Sequence, residues 1–220
     1  MADPDQAPCI YVLAGTNGGG KSSIAGAMFL ARGTEYFNPD EVSIRIRSAH
    51  PRLTQMEANS EAWHQGERLL RRAITKRLSF AFETTLGGNT IPALLSSAVA
   101  AGLDVRVWYV GLGTVDLHIA RVKARVEKGG HPIPEQKIRD RYDRSRLNLI
   151  RFMPQLTELL VYDNSDEADP DAGEHPEPKF LLHMVSGKIA SSCDLRSTPE
   201  WAKPILAAAL KTAAPRAPRR

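Results

Sequence analysis

A chain of 220 residues, 42% hydrophobic and 25% charged, has the make-up of an ordinary globular domain, which argues against fibrous, disordered and membrane classes, and a chain of this size buries roughly 70% of its unfolded surface. The formal charge of +4 hides an asymmetry: residues 163 to 178 hold seven acids and no Lys or Arg, so the rest of the chain carries 29 basic groups against 18 acidic ones, an excess that suits phosphate-bearing ligands. Two cysteines are too few for a disulfide framework, and the acidic start MADPDQAP carries no signal-peptide pattern; both point to a reduced, cytoplasmic setting without membrane association.

Strand-like runs CIYVLAG (9 to 15), EYFNPD (35 to 40), SFAFET (79 to 84), DVRVWYV (104 to 110) and ELLVYDN (158 to 164) alternate with segments of helical period at about 22 to 32, 54 to 78, 89 to 101, 114 to 128, 134 to 150 and 199 to 211. This alternation predicts an α/β fold with a mostly parallel five-stranded sheet covered by helices on both faces, in a single domain. Residues 163 to 178 read as a solvated acidic loop. KFLLHMVSGKIA (179 to 190) reads as a hairpin turning near Ser186 and Gly187, and 212 to 220 as a mobile basic tail.

The densest signal is GTNGGGKSS, between the first strand and the helix SSIAGAMFLA. Gly15, Gly20, Lys21 and Ser22 satisfy the phosphate-loop pattern G-x-x-x-x-G-K-[ST] in its confirming strand and helix context. Glycines let successive N–H groups, here of Asn17, Gly18, Gly19, Gly20, Lys21, Ser22 and Ser23, turn toward an anion, and the helix start adds its positive dipole end. Lys21 is predicted to reach the β- and γ-phosphates of ATP, and Ser22 to ligate Mg2+.

Ligands of open α/β sheets lie at the carboxyl ends of the strands. FNPD brings Asp40 to that edge, where a carboxylate accepts the proton of an attacking hydroxyl; the alternative reading makes Asp40 an N-cap, since NPDE is good helix-start chemistry. FETT brings Glu83, Thr84 and Thr85 to the same edge, suited to a polar acceptor or a magnesium-bound water. A second acidic magnesium ligand comes from Asp40 or Glu83 if there is one.

In VDLHIARVKARVEK, the apolar face of Val115, Ile119, Val122 and Val126 lies beside a stripe of His118, Arg121, Arg125 and Lys128. In EQKIRDRYDRSRLNL, Ile138, Tyr142 and Leu149 lie beside Lys137, Arg141, Arg144 and Asn148. Two such helices, joined through GGHPIP, are predicted to form a lid over about 115 to 150 that delivers guanidinium groups to the phosphates. His131 in the joining loop is either a ligand contact or a hinge residue bonded to backbone.

Together GTNGGGKSS, FNPD, FAFETTL and RVKARVEKGGHPIPEQKIRDRYDRSRLNL resemble the zeta toxin family of P-loop kinases, in its compact bacterial branch, over about residues 9 to 165. The resemblance implies ATP-dependent phosphorylation of a small hydroxyl acceptor, in the best-known members the 3′-hydroxyl of a UDP-N-acetylamino sugar, and a protein antitoxin as partner. It implies Lys21 and Ser22 for the triphosphate and magnesium, Asp40 as base, Glu83 and Thr84 on the acceptor side, and Arg121, Arg125 and Arg141 in the lid; Ser23 stands where Thr is usual. The competing reading is a nucleotide-dependent nucleic-acid-binding protein or polynucleotide kinase. Against it, only Tyr142 and Phe152 supply aromatic rings between 115 and 155.

Overall fold

A computed structural model describes residues 7–21, 36–166 and 177–213. The helix predicted over 22–32, and with it Ser22 and Ser23, lies outside the described residues, as do 167–176 of the acidic segment and 214–220 of the basic tail.

The described strands are β1 (Cys9–Ala14), β2 (Tyr36–Phe37), β3 (Phe80–Thr84), β4 (Asp104–Gly111), β5 (Glu158–Asp163), β6 (Lys179–Val185) and β7 (Lys188–Ser192). They form one sheet in the order β2-β3-β1-β4-β5-β6-β7. Neighbours from β2 to β5 pair in parallel, whereas β6 and β7 join antiparallel at one edge. The sheet therefore has seven strands where five were predicted, because the hairpin continues the hydrogen-bond ladder of β5. Its turn sits at Ser186 and Gly187, both at positive φ (48° and 75°), the backbone that matches the twist of a two-residue hairpin.

The described α-helices are α1 (Pro39–Ala49), α2 (Gln55–Lys76), α3 (Thr90–Ala100), α4 (Val115–Glu127), α5 (Glu135–Phe152) and α6 (Lys203–Ala213). Helix α1 is an addition to the sequence reading, which extended the second strand to residue 40; that strand stops at Phe37. Asn38 ends it, since its side chain accepts the Asp40 N–H at 3.0 Å and Pro39 takes the first helical position. Helix α2 starts at a capping box between Thr54 and Glu57.

A continuous apolar strand such as β1 is buried on both faces, as a central parallel strand requires. One face carries the main core, which runs from Ile10, Val12 and Val107 through Leu149, Phe152 and Leu159 to Leu182, Trp201 and Leu206. The opposite face carries Leu13, Ala81, Trp108 and Val110. A third cluster, Ile119, Val122 and Ile138 with Val115 and Ile133 against it, lies between α4 and α5, apart from both. Helix α5 thus spans two environments, its first turns in the small cluster and its last in the main core.

Parallel pairing aligns the carboxyl ends of the first five strands. Leu13 and Ala14 stand opposite Glu83 and Thr84 on one side and opposite Trp108 and Tyr109 on the other, so the glycine loop leaves the sheet between the ends of β3 and β4.

Candidate active site

Gly15 opens the loop with φ 139°, and a β-carbon there would stand 2.0 Å from the Val110 carbonyl oxygen. Gly20 has φ 79°, and a β-carbon there would stand 2.3 Å from Asn164 Nδ2. No other residue type fits either place. The loop is held from outside: Asn164 Nδ2 donates to Gly19 O at 3.1 Å, and Arg141 Nη1 donates to Asn17 Oδ1 at 2.8 Å. Asn164 is itself buried, and its Oδ1 has no partner among the described residues.

Lys21 is buried, with its Nζ 3.2 Å from Thr16 O and 3.3 Å from Glu83 Oε1. The phosphate-loop lysine thus rests on a carboxylate of β3. Glu83 Oε2 accepts the Tyr36 hydroxyl at 2.7 Å. Burial, reinforced by the carboxylates of Glu83, Glu41 and Asp40, pushes the Tyr36 phenol far up and keeps it a donor. Thr84 and Thr85 follow in the same loop, where Thr84 Oγ1 accepts the Leu86 N–H at 3.1 Å.

Asp40 is half-exposed in the first turn of α1. Its Oδ2 accepts Arg125 Nη1 at 3.0 Å, and its Oδ1 lies 3.6 Å from His131 Nε2. Asn38 performs the capping, so the Asp40 carboxylate is directed at the α4 to α5 connection instead of at its own helix end. His131 sits mostly buried against this carboxylate; burial pulls its imidazole down, with Asp40 opposing and Arg125 adding to the shift.

The basic stripes divide. Arg125 pairs with Asp40, and its buried Nε has no partner among the described residues. Arg121 turns to the end of β5, donating to Asn164 O at 2.8 Å and Asp166 O at 3.0 Å. Arg141 is turned inward to the phosphate loop, and burial lowers its guanidinium while Asp40 opposes. Lys128, Lys137 and Arg144 are exposed. An open groove of about 490 Å3 runs along Arg121, Ala124, Arg125, Lys128, Gly129 and Gly130. Among the described residues, no three His, Cys, Asp or Glu side chains converge as a metal cage. Magnesium that stays largely hydrated and bridges phosphates needs only one or two protein ligands.

Several residues depart from their sequence assignment. His118, placed on the basic stripe, is 1% exposed and its Nδ1 bonds Asn17 O at 2.8 Å; a carbonyl cannot donate, so Nδ1 carries the proton. Asp163, read both as part of the strand 158 to 164 and as the first residue of the solvated acidic loop, ends β5 in a buried position and accepts Trp201 Nε1 at 2.9 Å. Tyr36, Asn164 and Ser145 were not singled out as site residues, and Asn148 was read only as part of the polar stripe of the lid. The strand-end rule that found Glu83 also reaches Asn164, one residue past β5.

Burial pushes the His118 imidazole down to about 4, with Lys21, Arg121 and Arg146 adding to the shift and the Asn17 hydrogen bond opposing it. The unfolded chain therefore takes up this proton near pH 6.5 and the folded one only near pH 4. Stability present above pH 6.5 is lost as the pH falls through this window, by about 3 kcal/mol at 1.36 kcal/mol per pH unit. His118→Gln is expected to flatten this part of the profile; urea midpoints at several pH values between these limits check it.

A zeta toxin family model matches residues 2–169. The chain belongs to the zeta toxin family of P-loop kinases. An uncharacterized protein of Haemophilus influenzae is 36% identical over 137 residues, 58% of this chain and 88% of that protein. Among solved structures, a chain of the AvrRxo1-ORF1:-ORF2 complex with ATP matches with a TM-score of 0.64 at 16% identity, over 98% of this chain and 66% of that one. A chain of the PezAT chromosomal toxin-antitoxin system of Streptococcus pneumoniae matches with a TM-score of 0.56 at 13% identity, over 79% and 75%. The chain thus spans about two thirds of the AvrRxo1 chain it resembles, and at these identities the shared property is the fold. The zeta toxin match stops before β6, β7 and α6, yet Leu182 of β6, Trp201 in the turn ahead of α6 and Leu206 of α6 belong to the main core. Among the described residues no helix is long and apolar enough to cross a membrane.

Proposed function

We propose that this zeta toxin family kinase transfers the γ-phosphate of ATP to a hydroxyl of a small acceptor, and that the acceptor is a UDP-N-acetylamino sugar. The observation that carries the reading is the meeting, at one sheet edge, of the glycine loop with its buried Lys21, the carboxylate of Glu83, and Asp40 held by Arg125. In-line phosphoryl transfer requires a phosphate cradle, a base for the incoming hydroxyl and cations for the equatorial oxygens.

The roles follow from what each group can exchange. Lys21 leaves Glu83 for the β- and γ-phosphates, and Glu83 with Thr84 and Thr85 accepts hydroxyls of the acceptor. The acceptor oxygen attacks the γ-phosphorus, Asp40 takes its proton, and the bond from phosphorus to the bridging oxygen breaks to release ADP. Arg125, on leaving Asp40, and Arg141, beside Asn17, stabilise the transferring phosphoryl group. Arg121 joins them only by giving up its two carbonyl bonds. Ser22 is the residue we assign to Mg2+, which when bound neutralises charge on the β and γ oxygens.

The family and the ATP-containing relative support ATP as donor. The two-protein AvrRxo1 complex and the PezAT toxin-antitoxin system support a protein antitoxin as partner. The test is incubation with γ-labelled ATP and a panel of UDP-sugars, nucleosides and oligonucleotides, read by the mass of one added phosphoryl group. Label on a UDP-N-acetylamino sugar is the expected result. Label on oligonucleotide ends alone rejects the small acceptor, and label on water alone rejects the transferase.

A further inference from the structure

We infer that Asn148 and Ser145 of α5 are positioning residues that set the shape of the loop after β3, and through it the acceptor site. The inference rests on the proposed reading of Glu83, Thr84 and Thr85 as the acceptor side.

Three features converge on residues 85 to 88. First, Asn148 is 9% exposed, and its Nδ2 donates to both Leu86 O at 2.8 Å and Gly88 O at 2.9 Å. Both protons of one buried carboxamide are thus committed to two carbonyls of the same loop. Second, Ser145 is fully buried; its hydroxyl donates to Thr85 O at 2.6 Å and accepts the Tyr109 hydroxyl at 2.9 Å. Tyr109 belongs to β4, so the loop is referred through Ser145 to a central strand. Burial pushes the Tyr109 phenol up to about 12, which keeps it the donor in this relay. Third, Leu86 has φ 55°, the left-handed region that a branched side chain avoids unless its surroundings enforce it. Its side chain is buried in the main core, so the residue is pinned at both the side chain and the carbonyl.

Arg141, Ser145 and Asn148 recur at the spacing that puts residues on one helix face. Along that face, Arg141 touches the phosphate loop through Asn17 while Ser145 and Asn148 grip the acceptor loop. A β-carbon at Gly87 would stand 2.8 Å from Arg141 Cγ, so the loop lies directly against the helix. One rigid element therefore fixes the spacing between donor and acceptor sides. The amide of Asn148 touches neither reactant; its effect runs through the carbonyls it holds. Displacement of a substrate-orienting loop by about 1 Å costs up to about a hundredfold in transfer.

The test compares wild type with Asn148→Ala, Ser145→Ala and the amide-keeping Asn148→Gln in three measurements: amide hydrogen exchange of residues 84 to 88, KM for ATP, and KM for UDP-N-acetylglucosamine as the acceptor probe. Exchange at least tenfold faster in this loop, with acceptor KM raised at least tenfold, ATP KM within about twofold and partial recovery in Asn148→Gln, is the expected pattern. Ser145→Ala removes a single hydroxyl and carries the test if Asn148→Ala does not fold. Unchanged exchange in the loop overturns the inference. So does faster exchange with unchanged acceptor kinetics, or an equal rise in both KM values. If the wild-type protein transfers no phosphate to this probe, the functional reading fails for that acceptor, while the exchange result still decides whether these two residues set the loop.

Discussion

Lys21→Ala is expected to weaken ATP binding by about 10- to 100-fold, because charge-assisted hydrogen bonds to phosphate contribute about 1.5–3 kcal/mol and each 1.4 kcal/mol is a factor of ten. The same change should remove phosphoryl transfer, since no other cation emerges from the glycine loop itself. The resting geometry adds a prediction of opposite sign. Lys21 pairs with Glu83 at 3.3 Å, so ATP must break that pair before the ammonium reaches the phosphates. Glu83→Gln removes the competing charge and is expected to raise ATP affinity about threefold to tenfold, the size of an interaction of about 1 kcal/mol, while acceptor binding falls. Calorimetric titration with ATP reads both variants. A drop in ATP affinity for Glu83→Gln would show that the carboxylate supports the nucleotide site instead of competing for its lysine.

Asp40→Asn is expected to lower kcat by about 10²- to 10⁴-fold, the range of a general base, and to leave ATP affinity within about threefold. The substitution keeps shape and hydrogen bonding near Arg125 and removes only charge and basicity. Among the described residues Asp40 pairs with Arg125 and His131 and with none of the glycine loop, which is why donor binding should survive. Steady-state kinetics at saturating ATP separate the two effects. A rise in KM for ATP with kcat unchanged would assign Asp40 to ground-state binding.

The fold was legible where patterns were long and local chemistry unambiguous. The apolar run of β1 followed by four glycines named both a central parallel strand and an anion cradle, and helical periodicity over about 54 to 78 named α2. Helix α1 was hidden because PDEVSIRIRSA has a weak apolar face, in which only Val42 and Ser43 are buried. The preceding YF reads as the start of a longer strand. Helical periodicity gives a face, not a neighbour. Spacing alone put His118 with the arginines, whereas Gly18 and Gly19 pack against it and take it into the interior. In α5 the polar stripe was read as one lid face, but its members divide: Arg141 turns to the phosphate loop and Asn148 to the loop after β3, while Lys137 and Arg144 face solvent. Which of two like residues turns inward depends on the loops opposite, and those come from β1 and β3, far away in sequence. The pairing of Asp40 with Arg125 spans 85 positions and left no local signal.

In the proposed reaction Asp40 activates an acceptor hydroxyl against ATP held by the glycine loop. Its most direct test is single-turnover transfer from bound γ-labelled ATP in wild type and Asp40→Asn, with occupancy of the nucleotide site measured in the same samples. Full ATP occupancy is expected in both proteins, with labelled acceptor only in the wild type within the time of one turnover. Equal rates of labelled acceptor in the two proteins would contradict this role of Asp40.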